Sequence, residues 1–177
     1  NSVLIGIGAI AVIAIVVLIV IIKAPSVNYV DKSTNNSNTV LSNDYTSEDG
    51  SFSLKYPSDW NKIPNPAVFV ELSSSDGMAN IQVIECLFAP FGVFTDSEAE
   101  IKNSVNQFNT FIDLCDTKLG DISVKALSYQ TDGLKGKRTV NNYWYEVGDN
   151  LYQIICSYEK AEYEAVLESI LNSYTIN

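Results

Sequence analysis

Histidine is absent from this chain, and the chemistry that depends on it goes with it. Without imidazole there is no Ser-His or Cys-His nucleophile pair and no ordinary histidine metal site. Cations are scarce too: 11 Lys and Arg stand against 21 Asp and Glu, a formal net charge of −10. Neutralising phosphates takes clustered Lys and Arg, so the acidic balance argues against a nucleic-acid partner. Charged residues of both signs make up only 18% of the sequence, below the usual share for a soluble protein. There are three Cys and one Met. The 177 residues allow one domain of ordinary size plus an appendage.

What is plentiful is apolar, and it is concentrated at the front. Residues 3–22 read VLIGIGAIAVIAIVVLIVII without interruption, and Lys23 and Pro25 close the run. As a helix this run spans about 30 Å, the hydrocarbon thickness of a bilayer. A cleaved signal would have a shorter core, a basic start and small residues at a cleavage site. Residues 1–23 are therefore expected to be a retained transmembrane-type helix. Gly8, Ala11 and Ala14 recur at a spacing of three, near one face, where a second helix can approach closely. The small-xxx-small dimer motif is missing, and Gly and Ala are common in membrane helices anyway. The run begins two residues after Asn1 with no basic flank, as in pilin-like subunits trimmed just before their apolar helix. That start raises an alternative to a lipid anchor: a surface filament subunit whose helix packs against copies of itself. Lys23 by itself favours a cytoplasmic C-terminus by the positive-inside rule.

Residues 24–46 are rich in Ser, Thr and Asn and lack apolar periodicity, so they read as a polar linker. Asn35-Asn36-Ser37 matches a glycosylation acceptor, with Asn35 as the modified residue. From residue 47 to 177 the pattern is that of one globular domain. Phe52, Leu54 and Tyr56 alternate with polar neighbours as a half-buried strand. Further strands are expected over 67–72, 78–87, 122–129, 137–147 and 151–158, with turns at Asp76-Gly77, Asp132-Gly133 and Gly148-Asp149-Asn150. Thr95 and Glu98 form a capping-box pattern, and Ile101, Val105, Phe108 and Ile112 continue it as an amphipathic helix to Leu114. A last helix over 160–172 carries the stripe Tyr163, Val166, Leu167, Ile170 and Leu171. The order β-β-β-α-β-β-β-α, joined mostly by hairpins, predicts an α+β sandwich: a mainly antiparallel sheet with packed helices.

The segment FSLKYPSDW (Phe52 to Trp60) resembles the opening strand and Tyr-Pro-x-x-Trp turn of PsbP-related domains. The Tyr-rich return strand LYQIICSY and the closing helix ending in Leu171-Asn172-Ser173-Tyr174 are similar to the end of those domains. The resemblance covers residues 47–177. It implies a PsbP-like sandwich outside the cytoplasm, which outweighs Lys23, and a binding or accessory role. It implies no catalytic motif, and no site residue is carried over from it.

The remaining constellations are weak as chemistry. Cys86, Cys115 and Cys156 are an odd number, open to one disulfide or to three unpaired thiols. Gly133-Leu134-Lys135-Gly136-Lys137-Arg138 is glycine-rich and basic but lacks the spacing of a phosphate loop, leaving a hairpin tip or a steering patch for an anionic partner. Asp113, Asp116 and Asp121 lack the spacing of a calcium loop. Glu159, Glu162, Glu164 and Glu168 read as the solvated face of the last helix. Tyr143, Tyr145, Tyr152 and Tyr158 share one hairpin, as a packing ladder or an exposed binding surface. The sequence thus predicts a non-enzymatic, single-pass, extracytoplasmic binding or structural protein at the cell surface. It implies no cofactor and no metal, and its partners are membrane lipid or copies of itself through residues 3–22, with other surface proteins.

Overall fold

The computed structural model describes residues 39–87, 89 and 92–177. Gly8, Ala11, Ala14, Asn35 and the apolar run 3–22 lie outside them. Among the described residues no helix is long and apolar enough to cross a membrane.

In chain order the elements are β1 (Leu41–Thr46), β2 (Phe52–Pro57), β3 (Asn61–Lys62), β4 (Val70–Ser73), β5 (Ala79–Cys86), α1 (Glu98–Val105), β6 (Thr110–Leu119), β7 (Ile122–Asp132), β8 (Lys137–Val147), β9 (Asn150–Tyr158), α2 (Glu162–Asn172) and β10 (Thr175–Ile176). Seven strands form the main sheet in the order β3-β4-β5-β9-β8-β7-β6, and β1-β2-β10 form a smaller one. Every pairing among the described residues is antiparallel. The expected α+β class and mainly antiparallel sheet are met.

The two faces of the main sheet differ. Its inner face presents Leu72, Ile81, Val83, Tyr145, Ile154 and Cys156 to the small sheet and to α2, which contributes Leu167, Ile170 and Leu171. Trp60 belongs to this core, only 5% exposed, with its ring edge-on to Tyr163 at 6.3 Å. The outer face is covered by α1, where Val93, Ile101, Val105, Leu127 and Trp144 form a second cluster.

Three expectations need correction. The domain starts earlier than residue 47: β1 lies in the stretch read as linker, and Tyr45 is buried with its hydroxyl donating to Phe69 O at 2.7 Å. Only one side of β1 is covered, so its polar neighbours masked the alternation.

The capping box is two residues off. The cap is Ser97, whose N–H and hydroxyl donate to Glu100 at 2.9 and 2.6 Å, and Glu98 sits in the first turn instead.

The helix also stops at Val105 rather than Leu114. The Asn106 side chain accepts from Phe111 N at 2.9 Å and turns the chain, leaving Phe108 86% exposed. Residues 110–119 then form β6, an edge strand with a bulge between Phe111 and Asp113. The missed signal was Gly120-Asp121, the hairpin turn into β7, where Gly120 has φ 57°.

Candidate functional site

The main sheet is unzipped at one seam. β7 and β8 pair from Asp132↔Lys137 as far as Lys125↔Trp144 and then stop. Their outer neighbours continue: β6 stays with β7 to Leu119↔Ile122, and β8 with β9 to Val147↔Asn150. The two hairpins therefore part over 122–124 on one side and 145–147 on the other. The opening is a recess of about 620 Å³ lined by Phe94, Asp116, Lys118, Ser123, Val124, Lys125, Trp144, Tyr145 and Glu146, among others.

Strand alternation sorts this lining. Asp116 lies opposite Lys125, Lys118 opposite Ser123, and Lys125 opposite Trp144, so these side chains share the outer face with Glu146. Val124 and Tyr145 point inward and are buried, forming the floor. Trp144 is 1% exposed and packs beneath the α1 cluster. Its indole Nε1 finds no hydrogen-bond partner among the described residues, a spare donor in the wall. Phe94 is half-exposed above. Lys125 Nζ pairs with Asp116 at 3.2 Å, whereas Lys118 and Glu146 form no salt bridge among the described residues. The recess thus offers strand edges, one half-exposed aromatic side chain, Phe94, and charges of both signs.

None of the three cysteines is bridged. Cys86 lies opposite Leu151, five residues along β9 from Cys156, which is about 17 Å. Cys115 sits on β6, three strands away from β9. These separations are well beyond the roughly 7 Å limit for a disulfide, so the disulfide alternative is corrected to three free thiols. Burial, aided by Glu85, pushes the Cys86 thiol up to about 11. Burial also raises Cys156, and burial with Asp113 and Asp116 raises Cys115. All three are protonated at neutral pH.

The basic loop is neutralised from within. Glu159 is not part of a solvated helix face: its side chain is 3% exposed. It accepts from Leu134 N (2.9 Å), Lys135 N (2.8 Å), Arg138 Nε (3.2 Å) and Arg138 Nη2 (2.6 Å). Burial alone would raise its pKa, but these donors hold it below the ordinary value. Lys137 pairs with Asp132 at 2.6 Å. Asp76 is a similar lock, taking Met78 N (3.0 Å), Ser74 (2.8 Å), Tyr163 (2.8 Å) and Lys160 (3.0 Å), and its carboxyl is lowered against the opposing effect of burial.

The hairpin tyrosines pack inward. Tyr145 stacks on Tyr152 at 5.3 Å, and its hydroxyl bonds that of Tyr174. Burial pushes Tyr145 up to about 12. Among the described residues no three Cys, Asp or Glu side chains converge as a metal site.

These features define an α+β sandwich with an open seam. No protein-family model and no curated protein matches the chain. Solved structures do. Cyanobacterial PsbP from Synechocystis sp. PCC 6803 is similar with a TM-score of 0.51 and 12% identity, over 82% of this chain and 98% of that one. LpqN of Mycobacterium tuberculosis, described as involved in cell envelope biogenesis, is similar with a TM-score of 0.51 and 15% identity, over 76% and 90%. A protein of Bacteroides thetaiotaomicron VPI-5482 is similar with a TM-score of 0.53 and 14% identity, over 78% of this chain but only 49% of that one, so the chain spans about half its length. The domain has the fold of PsbP-related domains, as the FSLKYPSDW segment implies. In that segment Phe52, Leu54 and Trp60 are buried, and Trp60 N bonds Pro57 O at 3.2 Å.

Proposed function

We propose that this chain is a membrane-anchored binding module working outside the cytoplasm, holding or stabilising a partner protein rather than transforming a substrate. The observation that carries this reading is the seam: a recess bordered by strand edges that are unpaired among the described residues, with half-exposed Phe94 above it. Such edges suit recognition of another chain. The apolar run 3–22 supports anchoring by its length, in lipid or among copies of itself. The likeness to cyanobacterial PsbP and to an envelope-biogenesis protein supports placement outside the cytoplasm.

The test is a photo-cross-linking amino acid at Ser123, on the seam, with exposed Asp59 as the control position. In intact cells the Ser123 probe should give a discrete adduct with another protein, and the Asp59 probe should not. External protease should digest the domain. Protection from protease in intact cells, or equal adducts at both positions, refutes the reading.

A further inference from the structure

We infer that the end of the domain at which β1 begins rests on the bilayer that anchors the chain, with Leu134 and Phe108 in the lipid interface and the acidic opposite end turned away from it. This deepens the membrane-anchored reading above and rests on it. The first argument is where β1 begins. Leu41, its first residue, lies opposite Pro57, and Pro57 O accepts from Trp60 N at 3.2 Å. The Trp60 ring meets Tyr163, whose hydroxyl donates to Asp76 in the β4–β5 turn at 2.8 Å. Glu159, just past β9, donates its N–H to Met78 O at 2.9 Å, and its carboxylate holds the amides of Leu134 and Lys135. The root of β1, the β4–β5 turn, the end of β9 and the β7–β8 hairpin therefore share one end. Residues 24–40 separate that end from Lys23 and the apolar run. Whatever their conformation, they span at most about 60 Å. The root end can rest on the bilayer at any tether length. The opposite end needs the tether to run back along the sheet, about 35 Å for the 11 residues of β8.

The second argument is the surface at the root end. Leu134, in the hairpin turn, is 69% exposed, and Phe108 and Val40 are exposed as well. Thr110 lies opposite Gln130, two residues from the end of β7, so Phe108 belongs to the same end as the hairpin. Exposed Leu and Phe suit the interface of a bilayer, which takes up apolar side chains while polar neighbours stay hydrated. The third argument is charge. At the root end the charges cancel: Lys160 pairs with Asp76, Arg138 with Glu159 and Lys137 with Asp132. Lys135 and Asp59 add one charge of each sign, as do Lys102 and Glu162. The opposite end is acidic. Ser51 and Phe52 line a small recess with Val147 and Asn177, which places the β1–β2 turn near the β8–β9 turn. Exposed Glu48, Asp49, Asp121 and Asp149 occupy the β1–β2, β6–β7 and β8–β9 turns, which carry no Lys or Arg. Leu87 and Phe94 are exposed toward that end too, but an anionic leaflet repels the acids around them.

The test uses the full chain reconstituted in vesicles of phosphatidylcholine and phosphatidylglycerol at about 3:1, with a photo-cross-linking amino acid at Leu134, Phe108, Asp121 or Asp149 in turn. Mass spectrometry counts the lipid adducts at each position. Leu134 and Phe108 should each give at least about fivefold more lipid adduct than Asp121 and Asp149, the factor that one repelled charge supplies at such a surface. Leu134→Asp changes an exposed side chain and should bring the Phe108 adduct down to the level of Asp149. Equal lipid labelling of the two ends, or heavier labelling of Asp121 and Asp149, overturns the inference. So does an unchanged Phe108 adduct in Leu134→Asp, or a predominant adduct between Leu134 and a second copy of the chain. If the Ser123 probe captures a protein in cells while the two ends label equally in vesicles, the orientation fails and the binding-module reading stands. If the chain does not float with the vesicles, the anchored reading fails and this inference fails with it.

Discussion

Glu159 provides a test in which geometry sets the magnitude. Its carboxylate makes four hydrogen bonds that tie the 133–138 turn to the end of β9. In Glu159→Ala the two loop amides are exposed enough for water to replace the lost acceptor, so each costs a fraction of 1 kcal/mol. The Arg138 side chain is 23% exposed and loses a bidentate, charge-assisted partner, worth roughly 1.5–3 kcal/mol. The sum is about 2–4 kcal/mol, and Glu159→Gln, which keeps one acceptor, should cost about half of that. Gly133 belongs to the same unit. A Cβ there would stand 2.6 Å from Glu159 Cδ and Oε1, and the carboxylate is pinned. Gly133→Ala should therefore cost about 1–3 kcal/mol in the native background and under about 0.5 beside Glu159→Ala, where nothing obstructs the methyl. Urea unfolding of the four proteins in the cycle measures the coupling. Additivity within about 0.3–0.5 kcal/mol would refute the shared-unit argument. The pH dependence is a second readout. Glu159 and Asp76 titrate below their ordinary 4.5 and 3.8 when folded. Their contribution is complete above those unfolded values and drains as pH falls through the lower folded ones. The native protein should lose stability on acidification from about pH 5, and Glu159→Gln should lose less over the same range.

Trp60→Ala should cost about 3–5 kcal/mol, because the ring is buried between the β2 turn and Tyr163; a loss under about 1 kcal/mol in urea unfolding would remove it from the core. A fragment spanning Ser37–Asn177 should be a soluble, cooperatively folding domain, whereas one starting at Ser47 loses β1 and Tyr45 and should melt at a clearly lower temperature; equal melting would make β1 dispensable. Iodoacetamide at pH 7.5 should modify exposed Cys115 slowly, and Cys156 only on unfolding; native-state labelling of Cys156 at the rate of Cys115 would contradict its burial.

How much was legible from the sequence depended on whether burial was one-sided and regular. β8 spans Lys137–Val147 as expected, because its ends are marked by Gly133–Gly136 and Gly148 and its rings alternate in size and face. α2 was clear from its stripe of Leu167, Ile170 and Leu171. β6 was illegible for a physical reason: it is an edge strand with most side chains in solvent, and Phe108 and Ile112, whose helical spacing with Ile101 and Val105 extends the stripe, are exposed on a turn and on that strand. Glu159 was misread because the charge pattern of α2 extends to it, whereas its environment is set by a turn 25 residues earlier in the chain. The seam has no sequence signature. It is a stop in the pairing between two strands whose own patterns are regular, and only the register reveals it.

The division of labour between the two sheet faces follows from the same register. Inward, the main sheet meets a second sheet and α2 with Leu72, Ile81, Val83 and Ile154, all at or near zero exposure. Outward, the same central strands carry hydrogen-bonding groups: Gln153 Nε2 donates to Asn142 Oδ1 at 2.8 Å, and Ser157 donates to Asn80 Oδ1 at 2.7 Å. A buried or half-buried polar pair of this kind contributes little net stability but costs much when broken, so these pairs fix the strand alignment rather than drive folding. The larger hydrophobic core therefore sits on the inner face, and the seam opens on the other, beside the smaller cluster under α1. Its floor residues, Val124 and Tyr145, belong to the inner core and keep the two hairpins anchored while their outer sides stay apart. A substitution at Ser123 or Glu146, both exposed on the outer face, should change what the recess accepts with little effect on folding, within about 0.5 kcal/mol for ordinary surface changes. Val124→Ala removes floor rather than wall and should cost more than that in urea unfolding. If the Ser123 and Val124 variants proved equally destabilised, the seam would have to be counted as part of the folding core.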